Sequence, residues 1–370
     1  MKSSARGVFL LVFFCFCFDI LTAQDSYVEP DTTYQNSILY LPVIGSSPET
    51  GVMFGTLVVP QFKMNNSGPD TRSSSLLFSG IYTTKNQIFI GLVADLIFPE
   101  EKWVLNGSYN GNYFPNSYWG IGPATSSKDE IRILYTEISI EQMILRKIRP
   151  ALFAGPFIRW NSISGLTFED TDGSRLTEPP LNGSSGSSSV GFGFVTRSDK
   201  RDNNLTPTEN HFIQFSFLVN PAWSGTTHPY TASELDTRAY IPLKEDGRSV
   251  LAFQALVRLT TGNPSFLDLS SIGGDRINRG YYNGRYRSQN SAQIQTEYRR
   301  HLAGRFGLSL FAATGEVWNR FDELTFENYK WTAGAGLRFN LNKQETTNIR
   351  VDIGTGKDTS GFYLSFGEAF

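Results

Sequence analysis

The residue types that most often carry chemistry are scattered along this chain rather than clustered. The sequence contains three histidines: His211, His228 and His301. They are far apart and lack the spacing of a metal site, and serine, histidine and acidic residues follow no order typical of a hydrolytic triad. Asp199, Arg201 and Asp202 are neighbours, but at the end of a predicted strand they are more typical of a salt-bridged corner. We therefore predict no enzymatic activity, no metal ion and no cofactor.

A second set of charged residues alternates with less polar ones. In Ala292–Arg299, the side chains of Gln293, Gln295, Glu297 and Arg299 fall on one face of a predicted strand. The same alternation places three more charged side chains on such faces: Arg338, Arg350 and Asp352. A buried arginine is costly unless it is paired, and its planar fork favours carboxylates. The sequence therefore predicts a charge network on the inner face of the fold, with Asp352 neutralising neighbouring arginines.

The elements that must position these residues have a period of two, with little sign of the helical period of 3.6. Four segments show it most clearly: Ala292–Arg299, Phe306–Gly315, Lys330–Leu341 and Asn348–Gly354. A soluble β-sandwich has a polar face that is usually rich in Lys and Glu. Here the polar face consists of Gly, Ser, Gln and a few Arg, Glu and Asp, which is typical of a wet lumen. We predict an all-β protein, a single transmembrane antiparallel β-barrel.

The connections between the predicted strands support a barrel. Short junctions such as Arg300–Arg305 and Lys343–Thr347 alternate with long ones such as Asn319–Tyr329 and Thr260–Asn290. The length suits about 16 strands of about 10 residues each, and the arithmetic alone leaves 14 or 18 open. Aromatic residues near predicted strand ends suggest interfacial girdles: Trp103, Tyr118, Trp119, Trp318 and Trp331.

Composition narrows the class of protein further. The chain has 370 residues and a net charge of −2, and 40% of its residues are hydrophobic and 18% charged. It is too apolar for a disordered chain, and near-neutral charge argues against a nucleic-acid partner. A mean hydropathy of −0.24 excludes a bundle of membrane-spanning helices. It does not exclude a membrane barrel, in which alternate residues are polar.

The N-terminus has the pattern of a secretory signal. Lys2 and Arg6 precede an apolar run, Val8–Phe18, and Leu21–Ala23 offers a cleavage site. The run is too short to span a bilayer, which disfavours the alternative of a membrane anchor. Both cysteines, at positions 15 and 17, lie inside this segment. We predict a signal peptide over 1–23, a short tail over 24–37 and a barrel over 38–370, without disulfides.

One long junction carries a specific motif. The stretch Ser271–Arg287 reads SIGGDRINRGYYNGRYR. It resembles the GG…RGY…GRYR sixth-loop motif of the bacterial surface antigen family, the barrel of BamA/TamA-type outer-membrane proteins and two-partner-secretion transporters. Its motif positions in this chain are Gly273, Gly274, Arg279, Gly280, Tyr281, Gly284 and Arg285. Supporting similarities occur in Tyr40–Gly51, Asp199–Asn203 and Asn263–Leu269, so that the resemblance covers roughly 40–370.

The resemblance implies a sixteen-stranded barrel whose sixth extracellular loop folds into the lumen. It also implies that the motif arginine, Arg279, pairs with acids on strands 12 to 14. The strand-12 acid is Glu297, and we expect Arg279–Glu297 to be the principal pair. In the next strand Ala313 stands where the family usually has Asp, so at this position the chain departs from the family's arginine clamp. A structural role for Arg279, stapling the loop inside the barrel, and a mechanistic role both remain open.

The chain ends in SGFYLSFGEAF, which resembles the C-terminal β-signal of bacterial outer-membrane barrels. We expect a final alternating strand that closes on Phe370, with four positions of interest: Gly361, Tyr363, Phe366 and Phe370. By resemblance, a weakly paired seam would join this strand, Gly361–Phe370, to the first strand, placed at Gly51–Val59. Gly361 and Gly367 would weaken the closing strand.

Two functions remain open at this point. The first is assistance with insertion or translocation of outer-membrane or surface proteins through the first-strand/last-strand seam. The alternative is a loop-plugged passive pore, or a structural or interaction barrel without insertase activity. The implied location is the outer membrane of a Gram-negative bacterium, and the partners are its lipids, client barrel proteins, and periplasmic or lipoprotein partners. By the resemblance, relatives carry periplasmic POTRA domains before the barrel. A barrel that begins near residue 38 would leave no room for them, and we therefore expect client capture to need a separate partner.

Overall fold

The computed structural model describes residues 36–68, 71–244, 248–342 and 347–370. The predicted signal peptide over 1–23 and all but the end of the predicted tail over 24–37 lie outside the described residues. Within them, the strands are, in chain order, β1 (Ser37–Ser47), β2 (Gly51–Phe62), β3 (Ser74–Thr83), β4 (Ile88–Ile97), β5 (Trp103–Tyr113), β6 (Asn116–Tyr118), β7 (Ile131–Arg149), β8 (Leu152–Glu169), β9 (Ser187–Asp199), β10 (Asn210–Asn220), β11 (Tyr230–Pro242), β12 (Ser249–Gly262), β13 (Ser270–Ile272), β14 (Tyr286–Ser288), β15 (Asn290–Ala303), β16 (Phe306–Trp318), β17 (Lys330–Asn342), β18 (Thr347–Gly356) and β19 (Thr359–Phe366).

Helical structure in the described residues is confined to single turns. The short 3₁₀ helices are Pro99–Glu101, Ser127–Asp129, Ala222–Ser224, Phe321–Glu323 and Phe326–Asn328. Among the residues that the structure describes, no helix is long and apolar enough to cross a membrane.

The strands form a closed antiparallel barrel of 16 strands, as the sequence predicted. Each barrel strand pairs with the next along the chain, and β1 pairs with β19 to close the circle. The short β6 adds to the barrel wall beside β7, while β13 and β14 pair only with each other. This hairpin belongs to the connection between β12 and β15, which residues 263–289 form and which we call the motif loop.

Alternation decides which side chains face outwards. On β15, Ile294 is 56% exposed, whereas its neighbours Gln293 and Gln295 are buried. Leu310 on β16 and Ile353 on β18 are likewise exposed on the outer face. Since successive strand residues point to opposite faces, one apolar and one polar face are the direct result of period two.

The two ends of the barrel differ. At one end, which we call the turn end, short connections such as 98–102, 150–151 and 304–305 occur beside the longer 63–73 and 200–209, and both the beginning of β1 and the end of β19 lie there. At the other, the loop end, residues 114–130, 170–186, 263–289 and 319–329 form the long connections. An apolar cluster packs loops 114–130 and 263–289 against β7 and β8: Tyr118, Ile133, Tyr135, Ile163, Phe168, Phe266 and Leu269. Leu176 and Leu181 of the third loop, 170–186, are partly buried against this cluster. The fourth, 319–329, is open to solvent, and Phe326 is 94% exposed.

The predicted aromatic girdle is only partly present. Trp103 and Trp331 lie on the outer face and are exposed. Tyr118, Trp119 and Trp318 are buried, so their assignment to a girdle was wrong. The cause is local: these three side chains lie at the loop end, where the long connections cover them.

Two predicted strand positions also need correction. The segment Gly51–Val59 belongs to β2, and the first strand is β1 (Ser37–Ser47). Ile38–Ile44 is almost continuously apolar, so β1 lacks the alternation by which the other strands were recognised. The last strand, β19, ends at Phe366 instead of continuing to Phe370.

The end of β19 is set by a glycine. Gly367 has φ of +72°, a left-handed conformation that favours glycine, and it directs the following residues off the strand. Ala369 and Phe370 are buried against Tyr240 and Val250. Burial of this apolar pair explains why the strand pattern does not continue to the end of the sequence.

Candidate functional site

The motif loop approaches the inner faces of β15 and β18 through Arg279 and Gly280. Gly280 has φ of +121°, and a Cβ there would lie 3.0 Å from main-chain atoms of Thr355. A Cβ at Gly354 would lie 2.3 Å from the carbonyl oxygen of Arg279. Glycine at both positions therefore lets the two backbones come together and delivers the arginine to the barrel wall.

Arg279 is completely buried and is held by three elements. Its Nη1 lies 2.5 Å from Oδ2 of Asp352 on β18, and its Nη2 contacts Glu297 on β15. The guanidinium carbon lies 3.5 Å from the ring centroid of Phe311 on β16. Two carboxylates and an aromatic face together satisfy a charge that burial would otherwise make costly.

The two carboxylates are shared with further arginines. Glu297 accepts from Arg299 Nε at 2.8 Å and from Arg338 Nη2 at 3.2 Å. Asp352 accepts from Arg338 Nη1 at 2.5 Å and from Arg350 Nη1 at 3.3 Å. Because each acid bridges several arginines, the loop and the strands β15, β17 and β18 form one network.

Two more acids belong to this network and were not foreseen. Asp275 of the motif loop lies 3.2 Å from Arg350 Nη2, and Glu368 lies 2.7 Å from Arg338 Nε. Alternation continued from Phe366 would turn Glu368 outwards, but the bend at Gly367 brings it inside. Asp275 lies in an irregular loop, where no period applies.

The departure at Ala313 is compensated elsewhere. Ala313 is buried on β16, opposite Gln295 of β15, and carries no charge to the network. The second carboxylate on Arg279 comes instead from Asp352, two strands further along the barrel. The sequence had marked Asp352 as inward-facing, but it assigned this acid to neighbouring arginines rather than to Arg279.

The last strand contacts the motif loop directly. Tyr363 is fully buried, and its Oη accepts a hydrogen bond of 2.8 Å from the main-chain N–H of Gly280. A Cβ at Gly361 would lie 2.4 Å from Tyr363 Oη, so glycine there makes room for the tyrosine ring. Phe366 pairs with Ile349 at the end of the strand.

The segment after β19 packs inside the turn end. The ring of Phe370 stacks on that of Tyr240, with centroids 6.3 Å apart, and Arg299 Nη2 donates to the main-chain oxygen of Phe370 at 2.9 Å. Glu368 N donates to Leu205 O at 3.0 Å. Arg299 and Arg338 thus connect the end of the sequence to Glu297, which holds the motif arginine.

The remaining motif residues join the motif loop to the loop end. Tyr281 Oη accepts from the N–H of Lys357 at 3.1 Å. Arg285 donates to Oγ1 and O of Thr125, at 2.7 and 2.9 Å. Gly273, Gly274 and Gly284 all have positive φ, which allows the tight path of the loop. Tyr282 directly follows the motif residues Gly280 and Tyr281, and burial raises the pKa of its hydroxyl to about 12.

The closing pair of strands is much less extensive than the others. Every residue of β1 pairs with β2. Between β1 and β19, both of which the structure describes in full, it contains one residue pair, Ser46 with Leu364. This junction, which we call the seam, therefore contributes few of the hydrogen bonds that hold the barrel together.

Proline adds to the weakness of the seam. Val52 N donates to Thr84 Oγ1 at 3.0 Å and Val52 O accepts from Thr84 N at 2.9 Å, so the main chain of Val52 faces β3. Ser46 is paired with Val52, so the main-chain N–H and C=O of Ser46 point away from β2 and towards the seam. Because these directions alternate along a strand, the main chain of Pro42, four residues earlier, also points towards the seam. Proline has no N–H, which interrupts the row of donors on this edge of β1.

The described residues contain no group of three His, Cys, Asp or Glu side chains placed to hold a metal ion. The candidate site consists of the buried ion network on β15, β17 and β18 and the weakly paired seam between β1 and β19. Such an arrangement can fix a loop and leave one strand junction free to separate.

Comparisons with known proteins agree with this geometry. The model of the Omp85 superfamily domain matches residues 155–370. A search of curated protein sequences finds no match. Among solved structures, a BamA from Haemophilus ducreyi lacking POTRA domains 1–3 is 12% identical with a TM-score of 0.60, covering 90% of this chain and 70% of that one.

Two further solved structures share the fold. CdiB from Acinetobacter baumannii is 14% identical with a TM-score of 0.53, covering 89% of this chain and 59% of that one. CdiB from Escherichia coli is 10% identical with a TM-score of 0.57, covering 90% and 68%. At these identities the likeness concerns the fold, whereas the family model matches more than half of the sequence. The chain belongs to the Omp85 superfamily of outer-membrane β-barrels.

Proposed function

We propose that this barrel assists the insertion or translocation of outer-membrane or surface proteins through the seam between β1 and β19. The observation that carries the proposal is the single residue pair, Ser46 with Leu364, at this junction. Unpaired strand edges are costly in lipid, where water cannot replace a lost partner. The seam has few hydrogen bonds between β1 and β19 to lose. Replacing them by hydrogen bonds to a strand of a client protein therefore costs little free energy.

The proposed activity makes and breaks hydrogen bonds and requires no enzymatic step. Its partners would be the lipids of the outer membrane, client barrel proteins, and periplasmic or lipoprotein partners that deliver the clients. Removal of residues 1–23 on export is part of the same proposal. N-terminal sequencing of the protein isolated from outer membranes tests it, and a retained Met1 would contradict it.

A disulfide across the seam tests the function. The variant Ser46→Cys/Leu364→Cys joins the paired residues, with Cys15 and Cys17 replaced by alanine throughout. The matched control, Ile353→Cys/Phe362→Cys, joins β18 to β19, which no client needs to separate. Cells depleted of the wild-type protein receive one variant each, and the outer-membrane proteome is then measured.

We expect loss of other barrel proteins or surface lipoproteins with the seam disulfide, recovery after reduction, and normal levels with the control. If depletion of the protein itself leaves the outer-membrane proteome unchanged, the proposed function is wrong. Equal activity of the oxidised and reduced seam variant would exclude a route through the seam.

A loop-plugged passive pore is the second candidate, favoured by the packing at the loop end. The motif loop contributes Phe266 and Leu269 to the apolar cluster there, next to Tyr118 and Phe168. We infer that the loop plugs the lumen, so conductance in planar bilayers should be small and flickering. A large, steady conductance would contradict the plug, and normal activity of the seam disulfide together with gated conductance would favour this candidate.

A further inference from the structure

A short stretch of the motif loop contacts both sides of the seam. On the β19 side, Gly280 N donates to Tyr363 Oη at 2.8 Å, and Gly280 O accepts from Thr359 Oγ1 at 2.8 Å. Three residues later, Asn283 N donates to Glu49 Oε1 at 2.6 Å. Glu49 lies in the hairpin between β1 and β2, on the opposite side of the seam.

The β1 side of this contact is buried and well supported. Glu49 is 5% exposed, and its main-chain oxygen accepts from Gln87 Nε2 at 3.0 Å. Gln87 is itself fully buried and donates to Pro115 O at 2.8 Å. The hairpin of β1 and β2 therefore offers a fixed carboxylate to the loop rather than a mobile surface side chain.

We propose that Gly280–Asn283 is a strap that holds the seam closed from inside, and that Glu49 and Tyr363 are its positioning residues. Neither residue pairs across the seam itself, where the strands share one residue pair. The inference deepens the proposed function and rests on it for its biological meaning, but seam closure is a separate measurement.

The energetics favour the strap over the strand pairing. A hydrogen bond to a carboxylate is stronger than one between neutral groups. Both ends of the strap are buried, so a broken bond leaves a polar group without a partner and far from water. At the seam itself, the outward-facing main chain of β1 lacks a donor at Pro42.

The two ends are not equivalent. On the β19 side, the strap follows directly after Arg279, which Glu297 and Asp352 fix to the barrel wall. On the β1 side, its contact with the hairpin is the bond to Glu49, and Tyr282 Oη of the strap donates to Asn116 Oδ1 of β6 at 2.5 Å. We therefore expect β1 and β2 to be the side that moves when the seam opens, with the loop staying on β18 and β19.

A strap acts as a chain of links in series, and this gives a specific test. Spin labels at Ile44→Cys and Phe362→Cys, on the outer faces of β1 and β19, report the seam width in the full-length protein in lipid nanodiscs. In this background we compare Glu49→Ala, Tyr363→Phe and the double variant. Glu101→Ala is the matched control, because this acid pairs with Arg72 at the turn end, away from the motif loop.

We expect Glu49→Ala to raise the ratio of open to closed seam about tenfold, the effect of losing one strong hydrogen bond. Tyr363→Phe should raise it less, because Thr359 Oγ1 and Arg279 still hold the strap on the β19 side. The double variant should open the seam no further than Glu49→Ala alone, because loss of the Glu49 bond already frees the hairpin of β1 and β2 from the strap. Glu101→Ala should leave the distances unchanged. Glu49→Gln, which keeps an acceptor oxygen, should show a smaller effect than Glu49→Ala.

Unchanged distances in a folded Glu49→Ala protein would overturn the strap, as would additive effects of the two single variants. Folding is checked by heat-dependent migration in gels. If Glu49→Ala does not fold, the series Glu49→Gln, Tyr363→Phe and their combination decides the question by the same rule. If the seam opens in these variants but depletion of the protein has no effect on the outer-membrane proteome, the strap proposal stands and the proposed function is wrong.

Discussion

The wall around β15 and the seam close the same barrel in different ways. β15 pairs with β16 from Asn290 to Ala303, and its inner face contributes Glu297 and Arg299 to the ion network. The seam has one residue pair, and a loop bridges it. A continuous strand ladder resists separation over its whole length, whereas a loop contact fails at one point. Resistance to strand separation is therefore concentrated around β15, and the ability to open is confined to the seam between β1 and β19.

The inner faces of the two regions differ in composition as well. On β17 and β18, alternation turns Arg338, Arg350 and Asp352 inwards. On β1, the same rule turns Leu39 and Leu41 inwards, and they have no charge to offer. The ion network therefore ends before the seam. An apolar edge loses no ion pair when it moves, so the bond between Asn283 and Glu49 is the polar contact that breaks when β1 separates.

Amide hydrogen exchange offers the largest contrast between the two regions. Main-chain N–H groups of Ser37–Ser47 that face the seam have few partners, so they should exchange orders of magnitude faster than those of Phe306–Trp318. Exchange mass spectrometry of the protein in nanodiscs measures this directly. Equal protection of the two strands would show that the seam is as firmly closed as the rest of the wall.

Removal of the motif arginine should have the next largest effect. Arg279→Ala leaves Glu297 and Asp352 with one cation fewer in a buried site, which we expect to cost about 3–5 kcal/mol of unfolding free energy. Urea unfolding in lipid vesicles measures it. Arg320→Ala is the control, because its pair with Asp322 is exposed and contributes less than about 1 kcal/mol. If both variants lost similar amounts of unfolding free energy, the buried ion network would contribute no more to stability than an exposed ion pair.

Charge reversal of Glu297 addresses the same network from the barrel wall. Glu297→Arg places a fourth arginine beside Arg279, Arg299 and Arg338, so the motif loop should leave the wall. We expect faster protease cleavage within 263–289 and lower heat resistance. Unchanged protection of the loop would mean that the Arg279–Glu297 contact does not hold it.

A glycine substitution tests how closely the loop must approach. Gly280→Ala adds a Cβ 3.0 Å from main-chain atoms of Thr355 at a φ of +121°, and we expect a loss of about 1–3 kcal/mol. Gly304→Ala is the control, with a φ of +62° and no neighbour within 4 Å of its Cβ. It should lose less, from backbone strain alone. The same unfolding assay compares them, and equal losses would show that close approach is unimportant.

Lowering the pH should slightly raise the free energy of unfolding through Glu49, which lies next to the seam. Burial raises the pKa of Glu49, and the charge of Asp275 adds to this, whereas bonds from Ser47 and Asn283 oppose it. The folded protein thus binds this proton more tightly than the unfolded chain, so its stability should rise as the pH falls through the raised pKa. Relative to Glu49→Gln, we expect a gain below about 1 kcal/mol between about pH 7 and about pH 5. A relative loss would reverse the assigned direction.

The fold was largely within reach of the sequence, and the site only in part. Period two is a local property, so the barrel and the shared face of Glu297 and Arg299 follow from a few residues of β15. β1 is apolar on both faces, and no local pattern distinguishes it from a buried segment. Glu368 and Asp275 depend on a bend at Gly367 and on an irregular loop, which alternation does not describe.

The choice of acid for Arg279 shows a different limit. The family's second acid would lie at Ala313 on β16, whereas Arg279 pairs with Asp352 on β18. Which of these strands supplies the acid depends on the path by which the motif loop enters the barrel. That path is set by close contacts such as Gly280 with Thr355. Contacts between residues distant in sequence have no signature in a single sequence.

The contrast between the exposed loop 319–329 and the buried motif has an immunological consequence. Phe326 is 94% exposed, whereas Arg279 is fully buried. Antibodies raised against the peptide 319–329 should bind the folded protein, and antibodies against 276–284 should bind it only after denaturation. The segment that an antibody recognises in the folded protein is then free to vary in sequence, because neither the clamp on Arg279 nor the seam contains any of its residues.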